Sequence, residues 1–149
     1  MTSKYKVGSH TKHRLIYHFT FVPKYRKEIL RGKLKKRIVE LFEECCEVND
    51  WYIHQLEILS EHIHLLIQLN TSDSPAKAMQ YIKGGSSIML RKEFHNELKA
   101  FLWGDSFWAD GYFTETIGSK NEEVIKAYLN NQQTKHSKAS HSSPGLKAR

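Results

Sequence analysis

Apolar and polar side chains alternate along residues 13–22 (HRLIYHFTFV). Leu15, Tyr17, Phe19 and Phe21 fall on one parity, and Ile16, His18, Thr20 and Val22 on the other. Successive strand residues point to opposite faces, and aromatic and β-branched residues suit that surface, so the stretch predicts a strand that Pro23 ends. Over residues 33–49 the period changes. Leu34, Ile38, Leu41, Phe42, Cys45 and Val48 recur at helical spacing. Residues 51–59 predict a second strand, and the short Ser60-Glu61 link predicts a hairpin into a third, residues 62–69. In that third strand Ile63, Leu65, Ile67 and Leu69 form an apolar stripe, while His62, His64, Leu66 and Gln68 share the opposite face. Ser74-Pro75 joins a capping hydroxyl to a proline at the first helical position. It opens a predicted helix that runs to about residue 95, with Gly84-Gly85 interrupting it. Residues 101–117 are aromatic and turn-rich and end in a predicted fourth strand, residues 112–117. A last helix is predicted from residue 121 to about residue 133.

The order of elements is strand, helix, strand, strand, helix, strand, then one more helix. This predicts an α+β, ferredoxin-like fold: a split βαβ arrangement whose antiparallel sheet carries helices on one face, plus an extra C-terminal helix. The second sheet face is expected to be free for chemistry or ligand. Residues 1–133 are expected to form one domain. The tail, residues 134–149, is rich in Ser, Lys and His without periodicity and is predicted to be disordered.

Composition narrows the class. The chain has 149 residues, 40% hydrophobic and 26% charged, the balance of a soluble globular domain. No apolar run approaches the roughly 20 residues that span a membrane, and the first residues lack the apolar middle of a signal peptide. A cytoplasmic protein with no membrane partner is expected. Cys45 and Cys46 are adjacent, which argues against a disulfide framework and for reduced, buried thiols. The formal net charge is +7, and residues 24–37 alone hold eight Lys or Arg and one Glu. Such a block suits a polyanion, most simply nucleic acid; the alternative is a solvated helix face.

Two imidazoles at i and i+2 on a strand can converge on one divalent metal, so His62 and His64 are candidate ligands. The alternative, which the pair by itself favours, is two partly exposed, hydrogen-bonded sheet histidines. In the last helix Tyr128 and Gln132 stand at i and i+4 and share a face. A glutamine supplies a neutral oxygen that suits magnesium or manganese, and a tyrosine oxygen can act as a nucleophile. Tyr128 also adjoins an apolar stripe of Val124, Ile125 and Leu129, which would suit a core or interface residue. Lys83, Ser86 and Ser87 flank Gly84 and Gly85. Glycine lets a DNA backbone approach and Lys and Ser can contact phosphate; a kinked, closely packed helix is the alternative.

HIH on a strand, IKGGSS opening into a basic helix, then W and GYF, then NEEVIKAYLNNQ occur in this order within a short chain. Together they resemble the single-tyrosine HUH transposases of bacterial and archaeal insertion sequences, over about residues 14–133. The resemblance implies the following. His62 and His64 match the two histidine ligands, Gln132 the third ligand from the last helix, and Tyr128 the nucleophile. Mg2+ or Mn2+ would be the cofactor. The tyrosine would attack single-stranded DNA, leaving a 5′-phosphotyrosine link and a free 3′-hydroxyl that later rejoins strands. The family works as a homodimer and recognises hairpins near the ends of its element. This chain has Gly85, and Ile88 after it, where family members often carry basic or polar residues, a departure that bears on DNA contact by this segment.

Within this picture Lys24, Arg26, Lys27, Arg31, Lys33, Lys35, Lys36 and Arg37 would bind the DNA backbone in a salt-dependent way. Tyr17, Phe19, Trp51, Tyr52, Trp103 and Trp108 are candidates for base stacking, and most of them are expected in the core. His10, His13, His18, His54, His95, His136 and His141 are not assigned to the metal; His18 could neighbour the site from the first strand, but is read as a hydrogen-bonded sheet histidine. The rival readings are a non-catalytic nucleic-acid-binding module of the same fold, a domesticated HUH nuclease acting on host repeat hairpins, and a replication or conjugation nickase.

Overall fold

A computed structural model describes residues 15–102, 104, 106–118, 127, 130 and 131. Along them run β1 (Leu15–Phe21), α1 (Gly32–Val48), β2 (Tyr52–Ile58), β3 (Ile63–Leu69), α2 (Pro75–Glu93), α3 (His95–Leu98) and β4 (Phe113–Gly118). A single 3-10 turn, Lys24–Arg26, follows β1. The chain divides into two units, Met1–Ser119 and Lys120–Arg149, and these elements all belong to the first. In the second, Ala127, Asn130 and Asn131 are helical. The rest of the predicted last helix, with Tyr128 and Gln132, and the tail lie outside the described residues.

The four strands form one sheet in the order β2-β3-β1-β4. Every neighbouring pair is antiparallel. This is the split βαβ order of the ferredoxin-like fold: α1 carries the chain from β1 over β3 to β2, and α2 carries it from β3 to β4.

The strand stripes select the core. Phe19 and Phe21 of β1 and Ile63, Leu65, Ile67 and Leu69 of β3 are buried against Leu34, Ile38, Phe42 and Cys46 of α1 and Ala78, Met79, Ile82 and Leu90 of α2. Each large apolar side chain among them contributes about 1.5–3 kcal/mol when fully buried. Phe107 and Trp108 close this core, with Trp108 edge-on to Phe21 at a ring separation of 5.0 Å. The buried Trp51 donates its indole N–H to Asp73 Oδ2 at 2.7 Å, and Lys77 holds the Asp73 carboxyl below the usual carboxylate range. Both thiols are free, and burial pushes that of Cys46 up to about 12.

Two features differ from the sequence expectation. First, α2 runs unbroken through Gly84 and Gly85. A Cβ at either position would meet nothing within 4 Å, so no packing among the described residues demands glycine there. The hydrogen bonds of a long helix, begun by Ser74 accepting from Lys77 N–H, outweigh about 1 kcal/mol of propensity lost per glycine.

Second, the sheet face opposite the helices is not open at its centre. Ile16, His18, Leu66 and Gln68 lie on it and are 0, 6, 3 and 3% exposed. Ile16 and Leu66 are the sequence signal for this, two large apolar residues placed where a solvated face would carry polar ones. Phe19, Trp51 and Trp108 are core residues, in line with the expectation that most of the aromatic candidates pack inside. Among the described residues the exposed large aromatic rings are Tyr25, Tyr81, Phe101, Tyr112 and Phe113.

Candidate catalytic centre and nucleic-acid surface

His62 immediately precedes β3 and His64 is its second residue. The sheet register sets His64 opposite Thr20 of β1 and Glu57 of β2. His18, two residues before Thr20, therefore sits diagonally across from His64. Nε2 of His18 and Nδ1 of His64 are 3.0 Å apart, with the rings stacked at 5.1 Å and 19°. Thr20 Oγ1 lies 3.2 Å from the same Nδ1. On its far side His18 Nδ1 lies 3.5 Å from Glu115 Oε1, on the strand directly opposite.

The rings of His62 and His64 stand 5.0 Å apart, nearly perpendicular at 85°. Glu61 connects His62 to the turn after β1: its Oε1 lies 3.9 Å from His62 Nδ1 and its Oε2 lies 3.4 Å from Arg26 Nε. The backbone that presents Arg26 is in the left-handed region at Tyr25 (φ 60) and Arg26 (φ 52), an unfavourable conformation for two non-glycine residues in succession.

Nδ1 of His64 thus has partners within hydrogen-bond distance, whereas the nearest Glu61 oxygen lies beyond that distance from Nδ1 of His62. In metal sites a ligating histidine is oriented by a partner on one ring nitrogen while the other faces the ion. His64 fits that pattern, with Nε2 the atom that would face an ion. Among the described residues no group of three or more His, Cys, Asp and Glu is placed to hold a metal. His62 and His64 are a pair, and Gln132 falls outside the described residues.

The basic block divides on folding. Lys27, Arg31, Lys33, Lys35 and Lys36 are exposed. Arg37 is not free for a ligand: its Nε and one terminal nitrogen donate to the two oxygens of Glu93 at 2.8 and 3.0 Å, and the other donates to Glu40 at 3.1 Å. These carboxylates raise the Arg37 pKa above its ordinary value, and Arg37 holds Glu93 low in turn. Arg26 is ion-paired with Glu61, and the Lys24 ammonium lies 5.6 Å from the exposed Tyr25 ring. Tyr25 and Lys27 line a shallow cavity with Phe101.

The segment 83–87 has a packing use. Lys83 Nζ donates to the carbonyls of Ala109 and Gly111 at 2.9 and 2.5 Å, and burial pushes its pKa down. Gly111, with φ +79, makes the turn that brings the second carbonyl within reach. Ser86 and Ser87 are buried, accepting from Trp108 Nε1 at 2.9 Å and Phe107 N–H at 2.8 Å. A phosphate contact by either hydroxyl would require that packing to open.

Sequence reasoning did not single out Thr20, Glu57, Glu61 or Glu115; it placed His18 as a neighbour of the site at most, and as a hydrogen-bonded sheet histidine by preference. Only the sheet register brings them to His62 and His64. Nor did it select Tyr25, Phe101 or Phe113, whose exposure follows from tertiary packing.

The family profile described as "Transposase IS200 like" matches residues 11–132. The transposase for insertion sequence element IS200 of Salmonella typhimurium is 33% identical over 124 residues, covering 83% of this chain and 80% of that protein. The ISDra2 transposase TnpA of Deinococcus radiodurans is 25% identical over 132 residues, 87% of this chain and 92% of that one. Two solved structures share the fold. One is a candidate transposase from Deinococcus radiodurans R1, with TM-score 0.68, 22% identity, and coverage of 85% of this chain and 97% of that one. The other is a REP-associated tyrosine transposase bound to a REP hairpin, with TM-score 0.54, 16% identity, and coverage of 85% and 68%. With a profile spanning most of its length and a curated relative a third identical over most of both chains, this chain belongs to the IS200-like transposases.

Proposed function

We propose that the chain cleaves and rejoins single-stranded DNA at the ends of an insertion sequence through a covalent tyrosine intermediate. The observation that carries this reading is the His62–His64 pair, two rings 5.0 Å apart, with Nδ1 of His64 held by His18 and Thr20. A ring held in this way on Nδ1 would turn Nε2 to an ion. His62, His64 and Gln132 would hold the metal, and it would neutralise charge on the non-bridging oxygens of the scissile phosphate. Two imidazoles and an amide oxygen form a mixed set that favours Mn2+ over Mg2+.

The covalent chemistry falls to Tyr128. Its phenolic oxygen attacks phosphorus, the Tyr128 O–P bond forms and the P–O3′ bond breaks. The phenolic proton passes on balance to the departing 3′-oxygen. Free tyrosine has a pKa of about 10, so this proton leaves during attack rather than before it at neutral pH. Rejoining reverses the step: a 3′-hydroxyl attacks a phosphotyrosine and releases the phenol. Bond energy is conserved, and no nucleotide cofactor is required.

Lys24, Lys27, Lys35 and Lys36 would carry the strand by its phosphates. Phe113, opposite Thr20 in the sheet and 64% exposed, offers a stacking surface on the histidine face. Gly84 and Gly85, with open space beyond their Cα atoms, would admit a DNA backbone. A homodimer acting on hairpins at the element's ends completes the proposal.

His64→Ala tests the metal centre. It should abolish Mn2+ uptake and DNA cleavage while the protein still folds, as read by circular dichroism. Cleavage at the wild-type rate by a folded His64→Ala protein would remove the histidine pair from the reaction.

A further inference from the structure

Resting on the metal reading above, we propose that His18 and Glu115 are positioning residues that set the tautomer of His64, making its Nε2 the nitrogen that faces a metal. With both imidazoles neutral, these contacts favour one placement of protons. An ionised carboxylate can only accept hydrogen bonds. The 3.5 Å approach of Glu115 Oε1 therefore assigns a proton to Nδ1 of His18. Neutral His18 then carries its lone pair on Nε2, which must accept from the atom 3.0 Å away, Nδ1 of His64. A neutral imidazole has one N–H, so Nε2 of His64 is left with the lone pair that metal ligation needs. Thr20 Oγ1, 3.2 Å from Nδ1 of His64, can accept from the same N–H.

With His18 neutral, the opposite assignment is the poorer one. A proton on Nε2 of neutral His18 would set its bare Nδ1 against a carboxylate oxygen. The sheet makes this placement rigid. His18 pairs directly with Glu115 on β4 and Thr20 with His64 on β3, so the whole chain of contacts is fixed by backbone hydrogen bonds across three strands. His18 is 6% exposed and stacked on His64, which restricts both rings. Glu115 is the more exposed and weaker member, and orients His18 without reaching His64.

Two measurements decide this. The first is nitrogen-15 NMR of the wild-type, metal-free protein with labelled histidine. His64 is expected with its proton on Nδ1; a proton on Nε2 overturns the proposal. The second is Mn2+ titration of wild type, His18→Phe and His18→Gln, with melting curves for each. His18→Phe should weaken Mn2+ binding about 10–100-fold, the usual effect of removing a group that orients a ligand. His18→Gln, whose amide oxygen can accept from Nδ1 of His64, should recover part of it. His18→Phe that folds and binds Mn2+ as tightly as wild type would overturn the role of His18 and leave the metal site standing. Wild type that takes up no Mn2+ would overturn the metal reading and this one with it. Should His18→Phe fail to fold, the wild-type tautomer decides.

Discussion

Nε2 of His18 lies 3.0 Å from Nδ1 of His64, although the two residues are 46 positions apart in the chain. The contact exists because β1 and β3 are antiparallel neighbours in a register that pairs Thr20 with His64. A shift of that register by one residue would turn the imidazoles to opposite faces. The centre of the sheet thus serves two purposes through strict alternation: one parity of β3 fills the core, and the other aligns nitrogen atoms.

The buried hydroxyl of Ser86 accepts from the indole of Trp108 and itself donates to the Ile82 carbonyl at 2.6 Å. Ser86→Ala leaves the buried indole N–H without that acceptor, at a cost of about 1–3 kcal/mol. The urea midpoint should fall accordingly. A midpoint equal to wild type, together with weakened DNA binding, would return Ser86 to a phosphate-binding role.

Within the basic block, Lys35 and Lys36 are exposed while Arg37 is committed to Glu93 and Glu40. Lys35→Glu combined with Lys36→Glu should weaken single-strand binding at low salt. It should also reduce the slope of log affinity against log salt by about 0.7 for each phosphate that the protein no longer neutralises. Arg37→Glu should act mainly on stability, since it sets a third carboxylate beside Glu93 and Glu40. Affinity measured at several salt concentrations, with melting curves beside it, separates the two effects.

Phe113 is 64% exposed on the histidine face, where folding gains little from an aromatic ring. Phe113→Ala should leave the melting temperature near that of wild type. It should weaken single-strand binding by about 1–3 kcal/mol, the worth of one stacked base. Unchanged affinity would place the bases elsewhere.

The fold was legible because each element has its own local signal. The alternation of residues 15–21, the helical period of α1 and the Ser74-Pro75 start of α2 locate those elements closely, and their order gives the sheet topology. The bulge between Ile53 and Gln55, the turn at Lys24–Arg26 and the short α3 carry no such signal. Backbone geometry imposed by neighbouring elements creates them. The candidate site divides the same way. His62 and His64 stand two positions apart and so are readable from spacing alone. His18, Thr20 and Glu115 come from two other strands, and only register unites them. The packing of Lys83, Ser86 and Ser87 was hidden because their partners, Phe107 to Gly111, lie in a turn-rich segment with no periodicity.

The most direct test is a covalent-adduct assay. The protein is mixed with labelled single strands from both flanks of its own gene, with and without Mn2+, and run on denaturing gels beside Tyr128→Phe. A metal-dependent protein–DNA adduct that is absent in Tyr128→Phe is the expected result. Binding to those strands without any adduct, or an adduct that survives in Tyr128→Phe, would contradict the proposed chemistry.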